Sequence, residues 1–173
     1  MPKDKQSPIR WVRVDDRLIH GQVIVAWRQR LHYDAIYIID DALANDAFMR
    51  DVLRMAAPAG VQVSIVSVQQ AADALARSEA KAILVLVKMP QTVLQLANAG
   101  LSIAQINVGN LGAAPGRKRV LKSISLAPEH VAALDSLAAR GVRITFQLVP
   151  DDAPVTWERV RERWSAAKEA DRV

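Results

Sequence analysis

Apolar runs rich in valine and isoleucine recur along this chain of 173 residues and constrain its fold more than any other feature. The runs lie at 9–14, 35–39, 61–66, 82–87, 103–108, 120–126 and 142–149. Several are apolar almost throughout, which is typical of strands covered on both faces. The segments between them carry apolar residues at helical spacing, as at Ile19, Val23 and Trp27. This alternation predicts an α/β fold: a single open, mostly parallel twisted sheet of about six or seven strands with helices on both faces.

Residues that begin and end helices agree with this alternation. Asn45-Asp46 can cap a helix start, and Pro90 suits a first helical turn. Gly100 and Gly141 each follow an alanine-rich stretch, where glycine commonly ends a helix. The chain shows no internal repeat and no interdomain linker, and its length suits one core. We therefore predict one domain at 9–167, a flexible N-terminal extension at 1–8 and a charged tail at 168–173.

Composition excludes several classes of protein. With 51% hydrophobic and 24% charged residues, the chain is typical of a globular protein. The absence of cysteine excludes disulfides and thiolate metal sites and suits the cytoplasm. No carboxylates or histidines show metal-ligand spacing, so we expect neither a metal nor another cofactor. The N-terminus lacks a signal-peptide core, and no apolar run approaches the roughly 20 residues that span a bilayer.

The net charge of +5 favours acidic partners in general. Arg117, Lys118, Arg119 and Lys122 form the densest basic cluster, which we interpret as a solvated charged surface. The chain lacks the basic stripe with interleaved aromatic residues that a nucleic-acid binder would show, so we expect no nucleic-acid partner.

Ligands of open parallel sheets bind beyond the carboxyl ends of the strands. This rule directs attention to the loops at 15–22, 40–46, 88–90 and 107–112. In the first of these, a strand is expected to end at Asp15-Asp16 and a helix to begin between Leu18 and Gln22. His20 is therefore expected at or close to a helix N-terminus, where backbone N–H groups and the helix dipole favour an anion.

The residue types around His20 suit phosphoryl chemistry. A neutral imidazole supplies a nucleophilic nitrogen, while Arg13 and Arg17 could neutralise the phosphoryl oxygens if the loop turns tightly. Asp15 or Asp16 could orient an arginine or hold the ring in one tautomer. Spacing alone leaves a second interpretation open, in which His20 is a capping or partly buried residue without chemistry.

The other two histidines are weaker candidates for a functional role. His32 lies beside an expected helix end, and His130 lies in an expected first turn after Pro128-Glu129. We interpret both as surface residues.

The string from Arg13 to Val23, RVDDRLIHGQV, closely resembles the signature of the IIB components of the mannose, fructose and sorbose family of bacterial sugar phosphotransferase systems. Further segments resemble the family's later motifs in the expected order, at 39–46, 55–60, 87–90, 106–110 and 122–125. The resemblance extends from about residue 9 to residue 150.

This resemblance implies an activity and a set of site residues. The IIB protein would carry a phosphoryl group on Nδ1 of His20, with Arg13 and Arg17 stabilising that group and helping partners to dock. The positions with supporting roles would be Asp15, Asp16 and Gln22.

The resemblance also implies partners and a location. A phosphorylated IIA protein would be the donor, and the acceptor sugar would be held by membrane IIC and IID components. The protein would be cytoplasmic and associated with the inner face of the membrane through these partners. An alternative is a regulatory phosphocarrier or interaction module that keeps His20 but serves no sugar permease.

Overall fold

A computed structural model describes residues 9–170, apart from the side chains of Gln22 and of residues 168–170. The predicted extension at 1–8 and the last residues of the predicted tail, 171–173, lie outside the described residues.

One seven-stranded sheet organises the domain. The strands, in chain order, are β1 (Ile9–Asp15), β2 (Ala35–Ile39), β3 (Gln62–Val66), β4 (Ile83–Val87), β5 (Gln105–Asn110), β6 (Lys118–Leu121), β7 (Ile124–Leu126), β8 (Arg143–Phe146) and β9 (Val155–Thr156). Their order in the sheet is β3-β2-β4-β1-β5-β8-β9, while β6 and β7 form a separate antiparallel pair. Neighbours in the large sheet are parallel except β8 and β9. The predicted open, mostly parallel sheet is thus confirmed.

Helices connect most of the strands. They are α1 (Gly21–Leu31), α2 (Asp41–Ala44), α3 (Ala47–Met55), α4 (Val68–Ala76), α5 (Pro90–Asn98), α6 (Pro128–Ala139) and α7 (Trp157–Ala170). As the sequence predicts, the Asp46 side chain caps α3 and Pro90 opens α5. The backbone at 168–170, placed in the predicted tail, belongs to α7. Within residues 9–170, no helix has the length and hydropathy needed to cross a membrane.

Side chains of each central strand alternate between two hydrophobic cores. In β4, Ile83, Val85 and Val87 join the core that also contains buried residues of α4, α5, α6 and α7. Leu84 and Leu86 join the opposite core, beneath α1, α2 and α3. This period of two is that of a strand covered on both faces, which explains why β4 is apolar throughout.

The run at 120–126 differs from its prediction as one strand. A turn at Lys122-Ser123 divides it into the antiparallel pair β6 and β7. This hairpin is tied to the chain just after β5, because the N–H of Leu111 donates to the Ser123 carbonyl at 3.0 Å and the N–H of Ser125 donates to the Leu111 carbonyl at 2.7 Å. The polar Lys-Ser pair within the apolar run is the local signal for this turn.

The prediction of a surface position for His130 is wrong. The residue is only 3% exposed, and its Nδ1 accepts the N–H of Ala127 at 3.0 Å across the start of α6. Burial, and secondarily the positive charge of Arg117, lower the pKa of His130. The imidazole is therefore held in its neutral, accepting form.

We predict that His130 makes the fold acid-sensitive. Because its pKa is lowered in the folded state, the unfolded chain binds a proton that the folded chain does not, and stability falls as the pH drops below about 6.5. In His130→Gln, the amide oxygen can accept the same N–H without titrating. Denaturant unfolding at pH 7.5 and 5.5 should show a smaller loss of stability in the variant than in the wild type.

The exposed His32 provides the control for this measurement. His32→Asn should keep the pH dependence of the wild type, since it replaces an exposed histidine and leaves the buried His130 in place. An unchanged pH dependence in His130→Gln would contradict the prediction.

Candidate functional site

The loop between β1 and α1 lies where connections from neighbouring strands run to opposite sides of the sheet. From β1 the chain crosses to β2 on one side, and from β5 it continues toward β8 on the other. The carboxyl ends of β1 and β5 therefore form the switch point at which open α/β sheets bind ligands. His20 is the N-cap residue of α1, with φ −151° and ψ 131°, so it lies at the predicted helix start.

Hydrogen bonds to Asp15 fix the conformation of this loop. Its side chain is fully buried, and its Oδ1 accepts the backbone N–H of Arg17 at 3.1 Å and the Arg17 Nε–H at 3.3 Å. The Asp15 carbonyl also accepts the N–H of Leu18 at 3.0 Å, closing a turn. These contacts hold Leu18 in the left-handed region, with φ 57°, immediately before the histidine segment. The Asp15 carboxylate thus sets both the loop backbone and the direction of Arg17.

Arg17 keeps donors available for a ligand. Its side chain is 43% exposed, and only its Nε is engaged by Asp15. Among the described residues, the two terminal nitrogens of Arg17 have no hydrogen-bond partner. They can therefore receive an anion at the surface beside His20.

Arg13 lies in a different environment, although it belongs to the same motif. Its side chain is 1% exposed, and its two terminal nitrogens donate four hydrogen bonds within the protein. The acceptors are Asn107 Oδ1, Asp15 Oδ2 at 3.0 Å, and the carbonyls of Gln147 and Leu148 at 3.1 and 3.0 Å. All four terminal N–H groups of Arg13 are occupied. The predicted contact of Arg13 with a phosphoryl group is therefore unavailable in this conformation, and Arg13 acts as a buried brace.

Residues on both sides of Arg13 hold its side chain in this position. Trp27 of α1 lies with its ring centre 5.4 Å from the guanidinium carbon, and its Nε1–H donates to the Leu148 carbonyl at 2.9 Å. Burial lowers the pKa of Arg13, and the Asp15 carboxylate opposes this effect. On the other side, a Cβ at Gly109 would fall on the guanidinium itself. Glycine at this position is what allows Arg13 to lie against β5.

We predict that Gly109→Ala displaces Arg13 and destabilises the protein by about 2 kcal/mol, because the added methyl overpacks a buried site. Denaturant unfolding measures the change. Gly112→Ala is the matched control at the same edge of the sheet, since a Cβ there would meet only Asp16 Oδ2, at 3.3 Å. Equal effects of the two substitutions would contradict the prediction.

Asp16 ties the His20 loop to the segment after β5. Its Oδ2 accepts the N–H of Gly112 at 2.8 Å, and its Oδ1 accepts from the Asn110 side-chain amide. Arg117 Nη1 lies 3.7 Å from the same carboxylate and donates to the Gly112 carbonyl at 2.8 Å. The interpretation of Arg117 as part of a solvated cluster is therefore wrong, whereas Lys122 is exposed as expected.

Sequence reasoning also missed Trp27 and Gln147 as members of the site, and it singled out the loop at 107–112 without foreseeing the role of Gly109. Gln147 and Gly109 lie far from His20 in sequence, and only the neighbouring ends of β5 and β8 bring them beneath the loop. Gln22 lies in the first turn of α1, and its side chain is outside the description.

The His20 ring is turned inward in this structure. Its Nδ1 lies 3.0 Å from the Leu18 carbonyl oxygen. A carbonyl can only accept, so Nδ1 carries the hydrogen and Nε2 holds the lone pair when the ring is neutral. Nε2 is buried and has no partner among the described residues. Neither ring nitrogen is therefore open to a ligand in this position of the ring.

A cleft of about 470 Å³ opens beside Arg17. Its walls come from the ends of β5 and β8 and from the hairpin of β6 and β7. The polar groups that line it include Asn110, Lys122, Gln147 and Asp152. Arg17 and Lys122 bring positive charge to this space next to the histidine loop.

Comparison with known proteins places the chain in a family. The family model described as the PTS system sorbose subfamily IIB component matches residues 9–172. The sorbose-specific EIIB component of Klebsiella pneumoniae is 34% identical over 149 residues, which cover 85% of this chain and 91% of that protein. The fructose-specific EIIB component of Bacillus subtilis is 32% identical, with coverage of 82% and 88%.

A solved structure agrees with this placement. The crystal structure of the IIBSor domain of the Klebsiella pneumoniae sorbose permease has a TM-score of 0.83 with this chain at 33% identity, covering 89% of this chain and 96% of that domain. The open, mostly parallel sheet, matched over nearly the whole chain, is that of the IIB components of sugar phosphotransferase systems. Within that class, the chain belongs to the PTS sorbose-subfamily IIB component family.

Proposed function

We propose that His20 accepts a phosphoryl group from a IIA phosphohistidine and passes it to a sugar held by membrane IIC and IID components. The observation that carries this proposal is that His20 is the N-cap residue of α1, while Arg17, three residues earlier in the same loop, keeps its terminal nitrogens unoccupied. Membership of a sugar phosphotransferase family supports it. The protein would work in the cytoplasm, at the inner face of the membrane, wherever these partners hold it.

The transfer step needs one nucleophilic nitrogen and stabilisation of the phosphoryl oxygens. The lone pair of a neutral His20 nitrogen attacks phosphorus while the N–P bond to the donor histidine breaks, and the bonding electrons return to the donor nitrogen. Arg17 and the first N–H groups of α1 would neutralise the equatorial oxygens. In delivery to the sugar, a hydroxyl oxygen attacks phosphorus while the N–P bond to His20 breaks, the bonding electrons return to the His20 nitrogen, and the hydroxyl proton passes to the released imidazole or to water.

The resting position of the ring adds a requirement to this step. Transfer to Nδ1, the nitrogen that the family resemblance implies, requires the ring to leave the Leu18 carbonyl and to carry its proton on Nε2 instead. We propose that docking of the donor accompanies this outward turn. The inward ring would then keep the unphosphorylated histidine out of contact with other reactive groups.

The surface around the loop favours an acidic donor. Arg17 and Lys122 are exposed and line the same cleft at this edge of the sheet. Positive charge of this kind steers oppositely charged proteins toward the site and raises the association rate.

We predict that His20→Ala abolishes phosphorylation by a phosphorylated IIA protein while the protein stays folded. An acid-labile, base-stable mass increase measures the phosphoryl group, and NMR of the labelled imidazole identifies the nitrogen that carries it. His32→Asn is the matched control and should be labelled like the wild type. Retained labelling of His20→Ala would overturn the assignment.

Delivery of the phosphoryl group is tested separately. Addition of membranes containing IIC and IID, together with sugar, should remove the phosphoryl label from the wild type. A label that stays on the protein would favour the regulatory alternative.

We predict that Arg17→Ala slows transfer about 10²-fold without loss of stability, because it removes the open donors beside the reacting group. Rapid-quench measurement of the phosphoryl-transfer rate tests this, with Arg77→Ala, at the C-cap of α4, as the control for loss of one positive charge. An unchanged rate in Arg17→Ala would contradict the assigned role.

A further inference from the structure

Asp16 places a negative charge next to the arginine on which the proposed transfer step depends. It directly precedes Arg17, whose terminal nitrogens have no partner among the described residues. Asn110 links the two in space, because its amide donates to Asp16 Oδ1 and the residue also lines the cleft beside Arg17. A carboxylate that was free to turn toward this cleft would compete with a phosphoryl group for the Arg17 guanidinium. The contacts that hold Asp16 therefore decide what Arg17 can bind.

Arg117 is the cation that offsets the charge of Asp16. Its Nη1 lies 3.7 Å from Asp16 Oδ2 and donates to the Gly112 carbonyl at 2.8 Å. The N–H of Gly112 donates to the same carboxylate oxygen at 2.8 Å. Arg117 is 14% exposed and Asp16 is 22% exposed, so water screens this pair less than a pair on the open surface. Among the described residues, no second cation pairs with Asp16.

The segment that leads into β6 fixes the position of Arg117. The N–H of Arg117 donates to the Ala114 carbonyl at 3.1 Å, closing a turn in which Gly116 has a φ of 78°. The second terminal nitrogen, Nη2, contacts Met89 Sδ at 3.7 Å, just beyond the end of β4. One guanidinium thus contacts the segments that follow β1, β4 and β5, which is a fixed position at the carboxyl edge of the sheet.

We infer that Arg117 is a positioning residue for the proposed phosphoryl transfer. It holds the Asp16 carboxylate against the segment after β5 and thereby keeps the terminal nitrogens of Arg17 open to the phosphoryl oxygens. Among the described residues, Arg117 makes no hydrogen bond to His20 or Arg17, so its effect passes through Asp16. The effect on transfer rests on the proposed function, whereas the contact between Arg117 and Asp16 does not.

We predict that Arg117→Gln slows phosphoryl transfer from a phosphorylated IIA protein about tenfold, because the uncompensated Asp16 charge then competes for Arg17. The glutamine amide keeps an N–H donor for the Gly112 carbonyl, and Arg117→Lys, which keeps the charge, should recover part of the rate. Arg119→Gln is the matched control: it removes an exposed arginine from β6 and should transfer at the wild-type rate. Rapid-quench kinetics measure all three, and a wild-type rate in Arg117→Gln would overturn the inference.

A double variant separates this role from a general structural one. Asp16→Asn keeps an oxygen for the Gly112 N–H but has no charge with which to attract Arg17. In that background, Arg117→Gln should slow transfer no more than about twofold, against about tenfold when Asp16 is present. Equal slowing in the two backgrounds would show that Arg117 acts without Asp16 and would overturn the inference.

NMR of the arginine guanidinium groups tests the contact without any phosphoryl donor. The Arg17 signals, assigned by their loss in Arg17→Ala, should move in Arg117→Gln as Asp16 pairs with Arg17, and should return toward their wild-type positions in the double variant. Arg119→Gln should leave them in place. Unchanged Arg17 signals in Arg117→Gln would overturn the inference whatever the transfer rate.

The two kinds of measurement can fail independently. If the wild type takes no phosphoryl group from a phosphorylated IIA protein, the proposed function fails, and the NMR comparison still decides whether Arg117 keeps Asp16 away from Arg17. If the wild type is phosphorylated and the Arg17 signals do not depend on Arg117, the proposed function stands and the positioning role of Arg117 fails.

Discussion

The buried ion pair between Arg13 and Asp15 is the interaction on which the rest of the site depends. The two residues face the same side of β1, in the middle of the sheet, where removing charges from water is costly. The cost is offset because the guanidinium also donates to Asn107 and to two backbone carbonyls beyond β8. Removing any one partner would leave a buried group unsatisfied. The ends of β1, β5 and β8 are thereby held together by one side chain.

This pair also determines where the loop can go. Asp15 uses one oxygen for Arg13 and the other for the backbone and side chain of Arg17. The carboxylate therefore fixes the segment that contains His20 to the end of the sheet. Two arginines four residues apart consequently differ in function: Arg13 lies within the strand and braces it, whereas Arg17 lies beyond the strand end and reaches the surface.

The parts of the structure that depend on local sequence were predictable, and those that depend on tertiary contacts were not. Period-two alternation and the caps at Asp46 and Pro90 are local, so the sheet, most strands and the start of α1 agree with the sequence. The burial of His130 and the partial burial of Arg117 depend on elements that pack against them from elsewhere in the chain, and no neighbouring residue in the sequence indicates it. For Arg13, the motif identifies the residue, but the direction of its side chain depends on Asn107, Gly109 and the carbonyls after β8.

The burial of Arg13 has a consequence for the proposed relay. A carrier must release the phosphoryl group as readily as it accepts it, so strong stabilisation of the phosphorylated histidine would raise the barrier to the second transfer. With Arg13 occupied by Asp15 and Asn107, the nearby donors are the terminal nitrogens of Arg17 and the first N–H groups of α1. Arg17 is half-exposed and partly screened by water, which weakens its hold on a bound anion. The same brace that positions the His20 loop thus limits the positive charge beside it, as a carrier between two partners requires.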